Sequence, residues 1–248
     1  MDEQVKQFAE WMKEYGDVVF FGGAGVSTES KIPDFRSVDG LYNQSYSVPP
    51  ETILSATYFH AHTEEFYRFY RDKMIFKDAE PNPAHTSLAR LEELGIVKAV
   101  ITQNIDGLHQ KAGSKEVLEL HGSVHRNYCM KCRAFYGLDA IINSTGVPKC
   151  EKCGGTIKPD VVLYEEGLDS YVIDRSVSHI RRAKVLVIGG TSLAVYPAAG
   201  LINYFRGNKI VLINRDATSR DSIADLIIRR PIGQVMKEAL EIVEGKTE

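Results

Sequence analysis

Short apolar runs of strand length alternate with helical patterns along this sequence. The strand-like runs, rich in β-branched residues, are 17–21, 98–102, 184–188 and 209–213, with a weaker one at 226–228. Apolar side chains at helical spacing mark residues 85–94, 177–182 and 235–243. Buried strands separated by helices predict an α/β fold with a Rossmann-like, doubly wound parallel sheet.

Two stretches interrupt this alternation. Residues 37–80 carry aromatic residues and helix formers without a clear strand, and residues 125–160 hold all four cysteines. The length of 248 residues is close to the limit for a single hydrophobic core. We therefore expect a Rossmann-like domain formed by residues 1–36, 81–124 and 161–248. The helical insert 37–80 and the cysteine-bearing insert 125–160 would form a smaller domain.

The four cysteines have the spacing of a metal site. Cys129 and Cys132 form one C-x2-C pair, and Cys150 and Cys153 form another after 17 intervening residues. A gap of two residues lets both thiolates of a pair reach one ion, and four sulfur atoms complete a tetrahedral zinc shell. Such a shell leaves no open position, so the pattern predicts one structural zinc ion. Four ordinary buried cysteines, redox-active pairs and a DNA-binding zinc module are the alternatives.

Composition excludes several classes of protein. The chain has 30 basic and 33 acidic residues and a net charge of −3, which disfavours a nucleic-acid-binding surface. No apolar run approaches the roughly 20 residues that a membrane helix needs. The amphipathic N-terminal helix lacks the pattern of a signal peptide. We expect no nucleic-acid or membrane partner, a monomer, and a cytoplasmic location, where reducing conditions favour metal binding over disulfides.

A glycine-rich loop follows the first predicted strand. It reads Gly22-Gly23-Ala24-Gly25-Val26-Ser27-Thr28. Such glycines let the backbone approach a pyrophosphate, and Ser27 or Thr28 can cap a following helix whose N-terminus attracts that charge. The fingerprint G-x-G-x-x-G is incomplete because Thr28 replaces its last glycine. A dinucleotide site and a plain strand–helix turn both fit this loop.

Polar residues follow three predicted strands. They are Gln103-Asn104-Ile105-Asp106, Gly190-Thr191-Ser192 and Asn214-Arg215. Ligands of open α/β sheets bind beyond the carboxyl ends of strands, so these segments together predict a cofactor crevice, although each alone could be a turn. His121 follows the apolar run 117–120, and its ordinary pKa suits proton transfer near neutrality. A structural histidine is the alternative there.

Taken in order, these pieces resemble the sirtuin family of NAD-dependent protein deacylases. The matching strings are GAGVST at 23–28, IPDFR at 32–36, TQNID at 102–106, ELHG at 119–122, the cysteine quartet, GTSLAVYPA at 190–198 and Ile213-Asn214. The resemblance implies an NAD-dependent protein lysine deacetylase, which transfers acetyl from lysine to ADP-ribose and releases nicotinamide and O-acetyl-ADP-ribose. A protein ADP-ribosyltransferase and a longer-chain deacylase are the alternatives.

The resemblance also implies residue roles. His121 would be the general base, and acetyl-lysine proteins or peptides would lie along residues 158–166, with Val162 and Tyr164 in contact. The residues implied to bind NAD are Gly23, Ala24, Gly25, Thr28, Phe35, Arg36, Gln103, Asn104, Ile105, Asp106, His121, Gly190, Thr191, Ser192, Asn214, Arg215 and Ile232.

Several positions depart from the family pattern. Lys31 and Glu165 stand where glycine is common, and Gly22 where threonine is common. We expect the extra carboxylate of Glu165 to favour peptides with basic flanks. Sirtuins that prefer succinyl or malonyl groups use a Tyr-x-x-Arg pair, whereas here Arg71 follows Tyr67 by four positions. Because one helical step turns a side chain by about 100°, we expect acetyl rather than succinyl specificity.

Overall fold

The β-strands form two sheets, a larger parallel one and a smaller antiparallel one. The computed structural model describes residues 2–35, 40–41 and 47–246. Within these residues the strands are β1 (Val18–Gly22), β2 (Val97–Thr102), β3 (Val117–Glu119), β4 (Gly122–Cys129), β5 (Phe135–Tyr136), β6 (Ile157–Val161), β7 (Val185–Gly189), β8 (Lys209–Ile213) and β9 (Leu226–Ile228). The larger sheet is parallel with the order β3-β2-β1-β7-β8-β9. The smaller sheet is antiparallel with the order β5-β4-β6.

The central strands of the parallel sheet are buried on both faces. In β1, Val18 and Phe20 point into one hydrophobic core, whereas Val19 and Phe21 point into a second core on the opposite face. Successive side chains of a strand alternate between faces, so a continuous apolar run serves a sheet that is covered on both sides. The runs that predicted these strands are apolar for this reason.

Helices cover both faces of this sheet. The described α-helices are α1 (Glu3–Tyr15), α2 (Pro50–Ile53), α3 (Ala56–Ala61), α4 (Thr63–Lys73), α5 (Pro83–Glu93), α6 (Leu108–Lys111), α7 (Asp139–Ile142), α8 (Ser170–Arg182) and α9 (Ile232–Val243). Helices α1, α5 and α9 pack on the first core, and α8 packs on the second. None of these helices is both long and apolar enough to span a membrane.

A third hydrophobic core lies beside the smaller sheet. Phe59, Phe66, Tyr67 and Tyr70 from α3 and α4 are fully buried and pack there with side chains from the cysteine-bearing segment. Helical residues and cysteine-bearing residues thus share one core, although long stretches of sequence separate them.

The predicted fold class is confirmed, with shifts at element ends. Residues 209–213 and 226–228 form strands with the predicted bounds, whereas the predicted strand 184–188 lies at Val185–Gly189. Helix α8 begins seven residues before the predicted 177, because the Asp169 side chain accepts a hydrogen bond from the Val172 amide and caps it.

Candidate active site

A cleft of about 450 Å³ opens at the carboxyl ends of β1, β2, β7 and β8. One wall consists of the polar segments that follow these strands, and another consists of residues 161–166 after β6. Of the residues predicted to bind NAD, those lining it are Gly23, Ala24, Gly25, Phe35, Gln103, Asn104, Ile105, Asp106, His121, Gly190, Thr191, Ser192 and Asn214. Val162 and Tyr164, the predicted substrate contacts, line the opposite wall.

Three predicted cofactor residues, Thr28, Arg215 and Ile232, do not line this cleft. Thr28 donates its hydroxyl to the Gly25 carbonyl at 3.0 Å, and Arg215 is exposed outside the lining. Ile232 begins α9 and is buried in the first core, where it packs beside Gly189 at the end of β7. Arg36 lies outside the described residues.

Main-chain atoms of two glycine segments form the floor of the cleft. The Gly25 amide donates to the Gly190 carbonyl at 2.8 Å, and the Gly23 amide donates to the Gly189 carbonyl at 3.2 Å. A Cβ at Gly190, where φ is +57°, would lie 2.4 Å from the Val26 amide nitrogen. Only glycine allows the two loops to cross at this distance.

The helix expected directly after the glycine loop does not form, which corrects that prediction. Residues Ala24–Val26 and Thr28–Ser30 form two short 3₁₀ turns instead. Ser27 caps neither with its side chain, because its hydroxyl bonds elsewhere. Lys31, which ends the second turn, has φ of +64°, a left-handed conformation that favours glycine.

A hydrogen-bonded trio, Ser27, Asn104 and Asp106, lines one end of the cleft. The Ser27 hydroxyl donates to Asp106 Oδ2 at 2.7 Å and accepts from Asn104 Nδ2 at 3.0 Å. The other carboxylate oxygen of Asp106 accepts from the Leu108 amide at 2.9 Å. Ser27 thus orients two polar side chains of the cleft, a role that sequence reasoning missed because it treated Ser27 as a helix cap.

His121 lies where the two sheets meet. Its Nδ1 is 2.9 Å from the Gln103 carbonyl oxygen. A carbonyl only accepts, so Nδ1 carries the hydrogen, and Nε2 of the neutral ring keeps a lone pair for another group. Burial lowers the pKa of His121, and the hydrogen bond to Gln103 partly opposes this. The neutral form, which can accept a proton, is therefore favoured near neutral pH.

Another end of the cleft is formed by the segment after β8. The Asn214 side chain donates to the Asp216 carbonyl at 2.9 Å, and Arg229 donates to the carbonyls of both residues. Asp216 and Ala217 line the cleft with Tyr196 and Pro197. Sequence reasoning missed these four residues, although Tyr196 and Pro197 belong to the quoted string at 190–198.

The opposite wall is an extended segment after β6. The Val162 amide donates to the His121 carbonyl at 3.0 Å. Tyr164 pairs with the chain before α3, since its amide donates to Leu54 and its carbonyl accepts from Ala56, both at 3.0 Å. Leu163 and Leu168 add an apolar lining that sequence reasoning did not single out.

Glu165 is anchored at the rim of this wall. Its Oε2 accepts from the Thr57 hydroxyl at 2.7 Å and from the Thr57 amide at 2.8 Å. These two bonds, to the hydroxyl and then the amide, lower the pKa of Glu165. Its φ of +76° explains why glycine suits this position. The side chain is thus an ionised group at a fixed place beside the cleft.

The four cysteines converge away from the cleft. The sulfur atoms of Cys129, Cys132, Cys150 and Cys153 all lie within 4.8 Å of one another, with Cys129–Cys153 at 3.4 Å and Cys132–Cys150 at 3.6 Å. These separations exceed a disulfide bond of about 2.05 Å. They approach the spacing of about 3.8 Å that four 2.3 Å Zn–S bonds give in a tetrahedron. The donor set therefore fits one zinc ion.

Tyr136 contacts this cluster from β5. Its hydroxyl donates to Cys150 Sγ at 3.1 Å and accepts from the Glu151 amide at 3.1 Å. The bond from Tyr136 lowers the pKa of Cys150 to about 6, which favours the thiolate that a metal binds.

Comparison with known proteins matches the chain to one family over most of its length. The profile of the Sir2 family matches residues 23–197. The NAD-dependent protein deacetylase of Clostridium acetobutylicum is 59% identical over 241 residues, covering 96% of this chain and 98% of the relative. That of Clostridium perfringens is 55% identical over 244 residues, covering 97% and 100%.

Solved structures agree with this match. One Sir2 enzyme structure superposes with a TM-score of 0.89 at 38% identity and covers 100% of both chains. A Sir2 complex with a p53 peptide and NAD⁺ superposes with a TM-score of 0.86 at 39% identity, again over 100% of both chains. A Sir2 variant carrying a deacetylated p53 peptide and 3′-O-acetyl ADP ribose has a TM-score of 0.89 at 39% identity and covers 98% of this chain and 99% of that one.

Proposed function

The chain belongs to the Sir2 family, and from this we propose that it is an NAD-dependent protein lysine deacetylase. The observation that carries the proposal is His121, a half-buried imidazole whose Nδ1 is held by Gln103 between a polar cleft and an extended wall. NAD is its co-substrate, and acetyl-lysine in a protein or peptide is its second substrate.

NAD, when bound, supplies an ADP-ribosyl group and a positively charged nicotinamide that leaves readily. The acetyl oxygen of the substrate lysine attacks the ribose carbon that nicotinamide leaves. Nε2 of His121 takes a proton from a ribose hydroxyl, which then accepts the acetyl group. That hydroxyl oxygen bonds to the acetyl carbon, one water molecule adds to the same carbon, and the bond from this carbon to the lysine nitrogen breaks. The products are free lysine, nicotinamide and O-acetyl-ADP-ribose.

The cleft residues divide into three groups by their position. We propose that Asn104, Ile105 and Asp106 hold the nicotinamide end, with Asp106 oriented by Ser27. The glycine segments that include Ala24 and Gly190 approach the phosphates with their main chain. Ribose hydroxyls and the adenosine half are bound by the remaining polar groups, which are Gln103, Thr191, Ser192 and Asn214. Phe35 shields the reactive face of the bound NAD.

The peptide lies along the wall after β6. Its backbone lies beside the segment 158–166 as an added strand, with the acyl-lysine against Val162 and the chain passing Tyr164. This wall brings the acyl group close to His121, since Val162 is hydrogen-bonded to the His121 carbonyl.

The acyl group is acetyl rather than succinyl. Tyr67 is fully buried and donates its hydroxyl to the Ile157 carbonyl. Arg71 donates to the carbonyls of Ile141 and Gly146. Neither side chain belongs to the lining of the cleft, so neither is placed to bind an acyl carboxylate.

Zinc bound by the four cysteines has a structural role. Four thiolates close its coordination shell, so it stabilises the cysteine-bearing segment without taking part in the reaction. We also propose the domain division given above, with residues 37–80 and 125–160 forming the smaller domain, since side chains from both ranges share the third core. We also propose a cytoplasmic location, because reducing conditions favour metal binding by cysteines over disulfides.

The test is incubation of an acetyl-lysine peptide with and without NAD, followed by mass spectrometry. The parent should release the acetyl group only with NAD and form O-acetyl-ADP-ribose. His121→Ala should lower kcat by at least about 100-fold. His179→Ala is the matched control, because His179 lies on α8 near Glu116 outside the cleft lining. NAD-independent deacetylation, a fully active His121→Ala variant, or ADP-ribose on protein in place of O-acetyl-ADP-ribose would refute the proposal.

A further inference from the structure

Arg126 bridges the two sheets outside the lining of the cleft. Its Nη1 donates to Glu119 Oε2 at 2.5 Å, and its Nε donates to Asp160 Oδ2 at 2.8 Å. Glu119 is the last residue of β3 in the parallel sheet, whereas Asp160 belongs to β6 in the antiparallel sheet. One guanidinium thus holds a carboxylate on each sheet.

A bulge in β4 places Arg126 at this position. Ser123 pairs with Asp160 and Asn127 pairs with Pro159, so β4 advances four residues while β6 advances one. Such extra residues leave the regular ladder and redirect side chains. The Arg126 side chain is thereby able to bridge the two strands that carry the walls of the cleft.

The bridge lies two residues along the chain from His121 and two from Val162. Glu119 precedes His121 by two positions, and Asp160 precedes Val162 by two. Between those ends, the Val162 amide donates to the His121 carbonyl at 3.0 Å. The ionic bridge and this main-chain bond therefore join the chain at His121 to the peptide-binding segment at two points.

From this geometry we propose that Arg126 is a positioning residue that sets the distance between the His121 base and the bound acyl-lysine. The proposal rests on the proposed function for the identity of the substrate. The bridge from Glu119 through Arg126 to Asp160, called the clamp below, is a property of the two sheets whatever the substrate. The Glu119 side chain is only 7% exposed, so its carboxylate depends on Arg126 for a counter-charge. Reactive groups displaced by about 1 Å can lose about 100-fold in rate, so a small loosening here matters.

The chain offers a matched control on the same strand edge. Arg175 on α8 pairs with Glu116, which directly precedes β3. The side chains of Arg126 and Arg175 are similarly exposed, at 38% and 40%. Arg175 contacts neither wall of the cleft, so Arg175→Met removes a comparable ion pair without releasing the clamp.

The experiment compares Arg126→Met with Arg175→Met. We expect Arg126→Met to raise the peptide KM and lower kcat by about fivefold or more each, with the NAD KM within about twofold of the parent. Arg126→Lys keeps the charge and loses the forked geometry, so its kcat and peptide KM should lie between those of the parent and those of Arg126→Met. Parent-like values for Arg126→Met, or equal losses in Arg175→Met, would overturn the proposal.

A second measurement separates the clamp from the reaction. Hydrogen exchange at the Val162 amide should be at least about tenfold faster in Arg126→Met than in the parent or Arg175→Met. Unchanged exchange refutes the clamp, whereas a parent without NAD-dependent deacetylation refutes the proposed function whatever the exchange rate. If Arg126→Met unfolds because Glu119 is left unpaired, Glu119→Gln/Arg126→Met removes both charges and takes its place in the comparison.

Discussion

The Nδ1 atom of His121 lies 2.9 Å from the carbonyl oxygen of Gln103, the first residue after β2. This bond joins the proposed base to the neighbouring strand and leaves Nε2 with its lone pair. The Gln103 side chain in turn donates to Thr191 Oγ1 at 3.1 Å, so three strand ends are connected through one residue.

Activity should fall on the acid side at a pH lower than an ordinary histidine would give. Burial lowers the pKa of His121, so the neutral base persists below the usual 6.5 and is lost only as pH falls through the lowered value. The measurement is kcat/KM for an acetyl-lysine peptide between about pH 5 and 9. An apparent acid-side pKa above about 7 would contradict the assignment.

A buried histidine pair should make the fold sensitive to acid. His85 and His109 are fully buried with ring centroids 4.7 Å apart, and both ring nitrogens of His109 lack a hydrogen-bond partner in the described part of the chain. Burial lowers the pKa of His85 to about 4 and that of His109 well below its usual value. Below about pH 6.5 the unfolded chain binds more protons, so stability falls as pH drops from about 6.5 towards 4.

Urea unfolding at several pH values checks this expectation. Each excess proton in the unfolded state contributes a slope of about 1.4 kcal/mol per pH unit. His109→Leu should reduce the slope by about one proton and leave stability near pH 7.5 little changed, since no hydrogen bond is lost. The control is His60→Leu at an exposed position of α3. An unaltered slope in His109→Leu would show that His109 does not contribute.

Tyr136 should slow the loss of zinc. Its hydroxyl joins Cys150 Sγ to the Glu151 amide, so Tyr136→Phe removes the donor that holds one cysteine pair. Because groups that support metal ligands alter affinity by about 10–100-fold, we expect chelator-driven release at least about fivefold faster. Tyr128→Phe on the neighbouring strand is the control, and the Cys-to-Co²⁺ charge-transfer band of the cobalt-substituted protein should shift only in Tyr136→Phe. Equal release rates and spectra in both variants would exclude this role.

Glu165 should confer a preference for basic residues beside the acetyl-lysine. Its carboxylate is fixed by Thr57 at the rim of the peptide wall, and Lys158 pairs with the neighbouring Glu166, which leaves Glu165 to face a peptide charge. We expect Glu165→Gly to reduce the ratio of kcat/KM between Lys-flanked and Glu-flanked peptides about threefold, and salt to reduce it in the parent.

Two features of Glu165→Gly separate charge from backbone effects. Glycine relieves the left-handed backbone at φ of +76°, whereas loss of the two bonds to Thr57 lowers the free energy of unfolding. Glu165→Gln keeps the side-chain shape and the left-handed backbone and should also lose the peptide preference. A flank preference that survives in both variants would rule out a role for this carboxylate.

The central strands β1, β2 and β7 of the parallel sheet were predictable because they are buried on both faces, as the continuous apolar run of β1 illustrates. The polar strand ends were predictable for a related reason, since parallel strands bring their carboxyl ends to one edge. Ser27 was misjudged because its partner Asp106 is 79 residues away, and local sequence cannot show such a contact. The same holds for Arg126, whose position depends on a bulge that local residue preferences do not reveal.

The crossing of Gly25 and Gly190 limits how this cleft can be redesigned. Because the floor is main chain packed on main chain, no side chain there can be exchanged to change what binds, and any added carbon separates β1 from β7. A library meant to alter cofactor or acyl preference should therefore keep both glycine segments and vary the rim, at Tyr196, Asp216 and Leu163.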